Sequence, residues 1–185
     1  MSLTHRDMSS SVTIITGSDR AGKEWSPEAW KKLATATDTI CVLMGMRRIE
    51  QITAALAEGG RSVTTPAAVV QWGTRPEQRV VEGTLGDIAG LARSAGVTNP
   101  AVIIVGEVVR LRSELRWFAD QPLFGRRILI PRAPSQAGAT VRAVRARGAE
   151  PVVFPVIEIC DPPDPTQLAR AATAASSYDW LVFTS

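Results

Sequence analysis

Early in the chain, Gly17-Ser18-Asp19-Arg20-Ala21-Gly22-Lys23 carries glycine and lysine at the spacing of a phosphate cradle, directly after the β-rich run 12–16. Such a loop wraps nucleotide phosphates in main-chain N–H groups and offers magnesium a hydroxyl from the residue after the lysine. Here that residue is Glu24, whose carboxylate would face phosphate oxygens, and the helix-start pair Ser26-Pro27 comes only after Lys23. The phosphate would lose the helix N-terminus that should hold it, so a P-loop nucleotide-binding protein is disfavoured. His5 is the single histidine, and Cys41 and Cys160 are far apart in sequence. Neither a zinc ligand set nor a Ser/His triad with a second supporting histidine can be assembled, and no metal is expected. Met44-Gly45 closes a second β-rich run, where by themselves the two residues would be a core methionine and a turn glycine. Between Gly125 and Ala149 stand Arg126, Arg127, Arg132, Arg142, Arg145 and Arg147 without an acid. They form either a solvated face or a site for a polycarboxylate.

The elements that must carry these residues alternate. Runs 12–16, 39–44, 67–72, 79–82 and 101–105 are rich in branched residues and predict strands. Ser26-Pro27-Glu28 predicts an N-capped helix with proline in its first turn. Ile49, Ile52 and Leu56 recur at helical spacing over 47–58 and stop at Gly59-Gly60. Residues 85–95 and 112–119 predict two further helices. The short link from Trp72 to Arg79 suits a hairpin, so the sheet is expected to be mixed rather than all parallel. After the Pro- and Gly-containing connector at 119–125, a new β-α-β-α-β run begins: strands at 127–131, 152–159 and 180–184, helices at 136–147 and 165–175. Such alternation predicts parallel strands, and three strands with two helices leave sheet faces uncovered. The expected organisation is therefore α/β, with one unit over 1–120 and an incomplete parallel unit over 121–185.

The chain has 185 residues, 45% of them hydrophobic, with 21 Lys and Arg against 18 Asp and Glu for a net charge of +3. That is enough apolar material for a core and too even a charge balance for a nucleic-acid polycation. The longest apolar run, 101–105, is far too short to span a bilayer, and the start Met-Ser-Leu-Thr-His-Arg lacks an apolar signal core. With both cysteines inside apolar runs, the expectation is a soluble, unexported protein of the reducing cytoplasm.

Four motifs carry a resemblance: Leu3-Thr4-His5-Arg6; Leu43-Met44-Gly45; the stretch Gln71-Trp72-Gly73-Thr74-Arg75-Pro76-Glu77-Gln78-Arg79 leading into Val80-Val81-Glu82-Gly83-Thr84-Leu85; and Val105-Gly106-Glu107-Val108-Val109-Arg110-Leu111-Arg112. In this order, over roughly residues 3 to 119, they resemble the C-terminal part of a uroporphyrinogen-III C-methyltransferase of the tetrapyrrole methylase family. The resemblance implies a dimeric enzyme that moves methyl groups from S-adenosyl-methionine to uroporphyrinogen III, giving precorrin-2 on the way to sirohaem and cobalamin. It implies that Met44 and Gly73 meet the methyl donor, with Ala101, after Pro100, as an adenine-side position, and that Thr4, His5 and Arg6 meet the substrate. An adenine needs flat apolar contact, and a glycine lets main chain come close to it. Two departures are minor: Thr16-Gly17-Ser18 replaces the usual Thr-Gly-His, and Leu43 stands where an aromatic often precedes Met-Gly. The family's donor loop and its acid/base candidates belong upstream of Thr-His-Arg, so no catalytic residue is assigned. The chain is expected to hold half of an active site and to be inactive alone. A non-catalytic dimerisation or ligand-binding module is the alternative.

From Gly125 onward, Ile128-Leu129-Ile130-Pro131-Arg132, Gly148-Ala149-Glu150-Pro151, Phe154-Pro155 and Asp179-Trp180-Leu181-Val182-Phe183-Thr184-Ser185 are similar to the start of a uroporphyrinogen-III synthase. That enzyme closes hydroxymethylbilane without a cofactor. Arg132, near a strand's C-terminal end, would then meet substrate carboxylates. The two resemblances together imply an internal piece of a fusion of neighbouring pathway enzymes, aggregation-prone in isolation because parallel strands are left uncovered.

Overall fold

Every position of the run Ile40-Cys41-Val42 is buried, and so are Ile103, Ile104 and Val105, which marks these two strands as the centre of a sheet covered on both faces. The computed structural model describes residues 2–17, 26–158 and 160–182. Its first sheet has five strands in the order β1-β2-β5-β3-β4: β1 (Val12–Thr16), β2 (Thr39–Leu43), β3 (Pro66–Gln71), β4 (Arg79–Thr84) and β5 (Ala101–Val105). β1 and β2 run parallel, while β2–β5, β5–β3 and the β3–β4 hairpin are antiparallel, so the sheet is mixed as the short 72–79 link predicts.

Alternation along the strands divides the core into two layers. Ile40, Val42, Val69, Ile103 and Val105 face helices α1 (Pro27–Leu33), α2 (Ile49–Glu58) and α3 (Ile88–Ser94), which bring Trp30, Ile52, Leu56 and Ile88 against them. Cys41, Ala68 and Ile104 face the other way, under Val108 and Val109 and against Leu3. Ser26 caps α1 by accepting from the Ala29 N–H, with Pro27 in the first turn. The candidate phosphate loop falls on 18–25, outside the described residues.

One expectation about the end of this unit needs correction. The segment 112–119 is not an α-helix; a 3₁₀ helix at Glu107–Ser113 comes earlier, followed by turns. Its apolar residues, Val108, Val109 and Leu111, are the buried ones, and the residues that were to form the helix, Arg112 to Trp117, are mostly exposed. Without an apolar stripe there is nothing to hold a further turn on the sheet.

The second sheet is a parallel pair, β6 (Arg127–Ile130) and β7 (Glu150–Val153), joined by α4 (Pro134–Arg145). β7 stops before the expected 159, since the last ladder bond is from Phe154 N–H to the Ile130 carbonyl and Pro155 has no N–H to continue it. A helix α5 (Pro165–Thr173) follows, capped by Asp164 through Thr166. The expected third strand is absent from its described part. Residues 180–182 pair with nothing, Trp180 and Val182 stand 85% and 81% exposed, and 183–185 lie outside the described residues.

Candidate functional site

The register of the first sheet sets three apolar side chains in a row. Leu43 of β2 lies opposite Val102 of β5, and Val102 lies opposite Val70 of β3. All three point to the face away from the helices, and they floor an open cavity of about 670 Å³ at the end of the sheet where β2 finishes. Met44, Gly73 and Ala101 complete its lining together with Trp72, Asn99 and Pro100. Residues assigned from three separate stretches of sequence thus share one cavity.

The loops that carry them are tied to each other by main chain. Trp72 N–H donates to the Pro100 carbonyl at 3.2 Å, and the buried Gln71 side chain donates to the Thr98 carbonyl at 2.9 Å. Gly17 N–H donates to the Leu43 carbonyl at 2.6 Å just before Met44. A Cβ on Gly17 would stand 2.6 Å from the Gly45 Cα, and one on Gly45 would press on Ile103 and Val42 at 2.9 Å. Gly45 is therefore required by packing, and the Met44-Gly45 pair divides its work: glycine lets the β1 and β2 ends cross, methionine faces the cavity. Gly73 is different. A Cβ there would meet Val70 at 3.4 Å and nothing closer, so the protein itself leaves room for it. The space beside Gly73 belongs to the cavity.

Met44 and Trp72 of the lining, and Thr74 next to Gly73, have left-handed backbones with φ of 53°, 51° and 64°. They are the only non-glycine residues with positive φ among those described. Each costs on the order of 1 kcal/mol or more against an ordinary conformation. Their concentration here was not readable from sequence, because neither Met nor Trp advertises a left-handed position. Sequence reasoning also passed over the two guanidinium groups at the rim, Arg47 and Arg75; the second stacks on the Trp72 ring at 5.0 Å and pairs with Glu77 at 3.7 Å. Among the described residues no carboxylate lines this cavity.

The same sheet face continues into a smaller space of about 300 Å³ under Leu3 and Trp117, which shares Val70, Gly73 and Val102 with the first. Cys41 lines it, and burial raises its thiol pKa, which disfavours the thiolate.

The remaining assigned residues lie elsewhere. Thr4, His5 and Arg6 belong to a turn closed by mutual hydrogen bonds between His5 and Ser9 main chain. Ser9 Oγ bonds Thr39 Oγ1 at 2.7 Å, which anchors this turn at the start of β2, while Met44 follows its end. Five strand residues separate the two points, about 15 Å. Arg132 is exposed just past the C-terminal end of β6, as expected of its position, beside a third cavity formed by Ala133, Pro134 and Ser135 with residues 155–158. Among the described residues no group of three or more His, Cys, Asp or Glu could hold a metal. Nor, among the described residues, is any helix long and apolar enough to cross a membrane.

A family model described as Tetrapyrrole (Corrin/Porphyrin) Methylases matches residues 1–89, across β1, the Met44 strand end and the Gly73 turn. This part of the chain matches the tetrapyrrole methylase family. The model for Uroporphyrinogen-III synthase HemD matches residues 138–185. Among curated proteins, the Porphyrin biosynthesis protein HemD of Ruminiclostridium josui is 37% identical over 98% of this chain, and Uroporphyrinogen-III C-methyltransferase of Bacillus subtilis is 33% identical over 83% of it. The chain spans about a third of those relatives, 36% and 32% of their lengths. A solved relative is the uroporphyrin-III C-methyl transferase of Thermus thermophilus complexed with S-adenyl homocysteine. It has 30% identity and a TM-score of 0.52, covering 60% of this chain and 48% of that one. The methylase match ends at the start of α3, and the synthase match opens within α4.

Proposed function

We propose that the cavity of Met44, Gly73 and Ala101 is one wall of an S-adenosyl-methionine site, and that the intact polypeptide methylates uroporphyrinogen III to precorrin-2 for sirohaem or cobalamin. On this reading residues 1–120 are the C-terminal subdomain of the methylase, 121–185 are part of a uroporphyrinogen-III synthase domain, and the whole protein is a cytoplasmic homodimer. The observation that carries it is the meeting of Met44, Gly73 and Ala101 in one open cavity. The Thermus relative, solved in complex with S-adenyl homocysteine, the demethylated donor, supports it.

The donor, when bound, supplies an electrophilic methyl group, and the electron-rich pyrrole carbon supplies the electrons, so the protein's task is positioning. The residues present fit such a group. Leu43, Val70 and Val102 give an adenine a dry, flat floor, Met44 a soft side wall, and Gly73 a stretch of main chain that a ligand can approach closely. Arg47 and Arg75 hold fixed positive charge at the rim, suited to a carboxylate of the donor. Thr4, His5 and Arg6, at the far end of β2, would serve the substrate from a second position, and Arg132 would serve the synthase step.

Gly73→Ala tests the reading. The space around Gly73 accepts a methyl group, so the melting temperature is expected to stay within about 0.5 kcal/mol of the parent in stability. Calorimetry with S-adenosyl-homocysteine is expected to show affinity at least tenfold weaker, because that methyl occupies ligand space. Equal affinity for parent and variant would remove Gly73 from the site.

A further inference from the structure

A separate cavity of about 350 Å³ lies where the β3–β4 turn meets the α4–β7 turn, between the two sheets. Thr74, Arg75 and Pro76 come from the first side, and Arg145, Glu150 and Pro151 from the second, with Phe118 of the connecting segment between them. The connector is braced: Phe118 and Phe124 stack edge to face at 5.6 Å, and Leu123 N–H donates to the Arg147 carbonyl at 2.9 Å. A Cβ on Gly148 would strike the Gln121 side chain at 2.6 Å, so the α4–β7 turn sits directly on that segment.

The charges in this cavity do not cancel. Glu150 is taken up by Arg127 at 3.0 Å. Arg145 has no acidic partner among the described residues, and Arg75 has only the loose 3.7 Å pair with Glu77. Two guanidiniums over the apolar surfaces of Phe118, Pro76 and Pro151 suit a carboxylate carried on a small apolar ring. Arg75 also lines the Met44 cavity and stacks on Trp72, so one side chain reaches both spaces.

We propose that Arg75 and Arg145 form a carboxylate subsite at the junction of the two sheets, taking an acetate or propionate arm of a tetrapyrrole next to the methyl-donor cavity. The identity of the ligand rests on the function proposed above; the anion subsite rests on the two arginines alone.

The full 185-residue chain is titrated with uroporphyrin, a stable octacarboxylate, followed by fluorescence, and S-adenosyl-homocysteine is titrated separately by calorimetry. Arg145→Gln is expected to weaken uroporphyrin binding about tenfold, the loss of one charge-assisted contact, and to leave S-adenosyl-homocysteine binding unchanged. Arg75→Gln is expected to weaken both. Arg142→Gln, on the same helix but not lining the cavity, is expected to weaken neither. Arg145 has no partner to lose, so an unchanged thermal melt checks folding. Wild-type uroporphyrin affinity in Arg145→Gln, an equal loss in Arg142→Gln, or no uroporphyrin binding by the parent chain would each overturn the subsite. Arg145-dependent uroporphyrin binding without any S-adenosyl-homocysteine binding would instead sink the donor reading and leave the subsite standing.

Discussion

Two parts of this chain are built from the same alternation of strands and helices, yet they bury very different amounts of themselves. The first sheet places Ile40, Leu56, Ile88, Ile103 and Val105 at 1% exposure or less, with cover on both faces. Among the described residues beyond 120, only Ile130, Ala137 and Ala149 are buried hydrophobics, while Leu129, Phe154, Val156, Ile157 and Leu168 are all at least 60% exposed. α5 buries no residue at all. The difference shows that β-α-β order supplies topology, and that stability comes only when each apolar face meets another layer.

The sharpest way to break this contrast is to remove equivalent side chains from the two parts. Leu56→Ala, in the first core, is expected to cost about 2–5 kcal/mol by chemical denaturation, the usual range for a buried leucine. Leu129→Ala, on the 61% exposed face of β6, is expected to change stability by less than about 0.5 kcal/mol. A large loss at Leu129 would mean that something covers this face in solution.

A second measurement follows the exposed apolar surface directly. The chain is expected to bind the dye ANS, and limited proteolysis is expected to cut between 154 and 182 well before it cuts inside 39–105. Equal resistance along the chain would contradict the contrast.

The smallest effect concerns two carboxylates that acid should treat differently. Hydrogen bonds from Ser10 main chain, then from the Ser11 and Ser10 hydroxyls and Ser11 main chain, hold the Asp38 pKa below its ordinary value. The Thr166 hydroxyl, then its N–H, does the same for Asp164. Since each folded pKa is depressed, the stabilisation is complete above the ordinary carboxylate range and is lost as pH falls through the folded value. Asp38 joins segments 27 residues apart, accepting from Ser11 N–H at 3.0 Å, whereas Asp164 only caps α5 two residues on. Amide exchange on lowering pH toward 3 is therefore expected to rise in residues 9–12 and 37–39 together, but only locally at 164–167; Asp38→Asn should show the first change already at neutral pH.

Much of the first part was legible in sequence because its signals are local and redundant. Branched runs, the Ser26-Pro27 cap and the short 72–79 link each point to the element that forms. The meeting of Met44, Gly73 and Ala101 was reached through resemblance, and residue spacing alone would have left Met44 as core. What sequence could not carry was the 3₁₀ form at Glu107–Ser113, decided by which side chains reach the sheet, and the lack of strand pairing over the described residues 180–182, which depends on a neighbour and not on Leu181 or Val182. Trp72 and Arg75 were hidden for a related reason: their importance comes from backbone angles and a stack that exist only once β3 and β5 are paired.

The left-handed backbones of Met44, Trp72 and Thr74 bear on how this protein can vary. Glycine would adopt those three conformations without penalty, so folding alone would be served by replacing all of them. Any variant library selected only for thermal robustness should drift toward glycine here and lose Met44 and Trp72 from the cavity wall as it does so, which sets durability against ligand capture at those two positions.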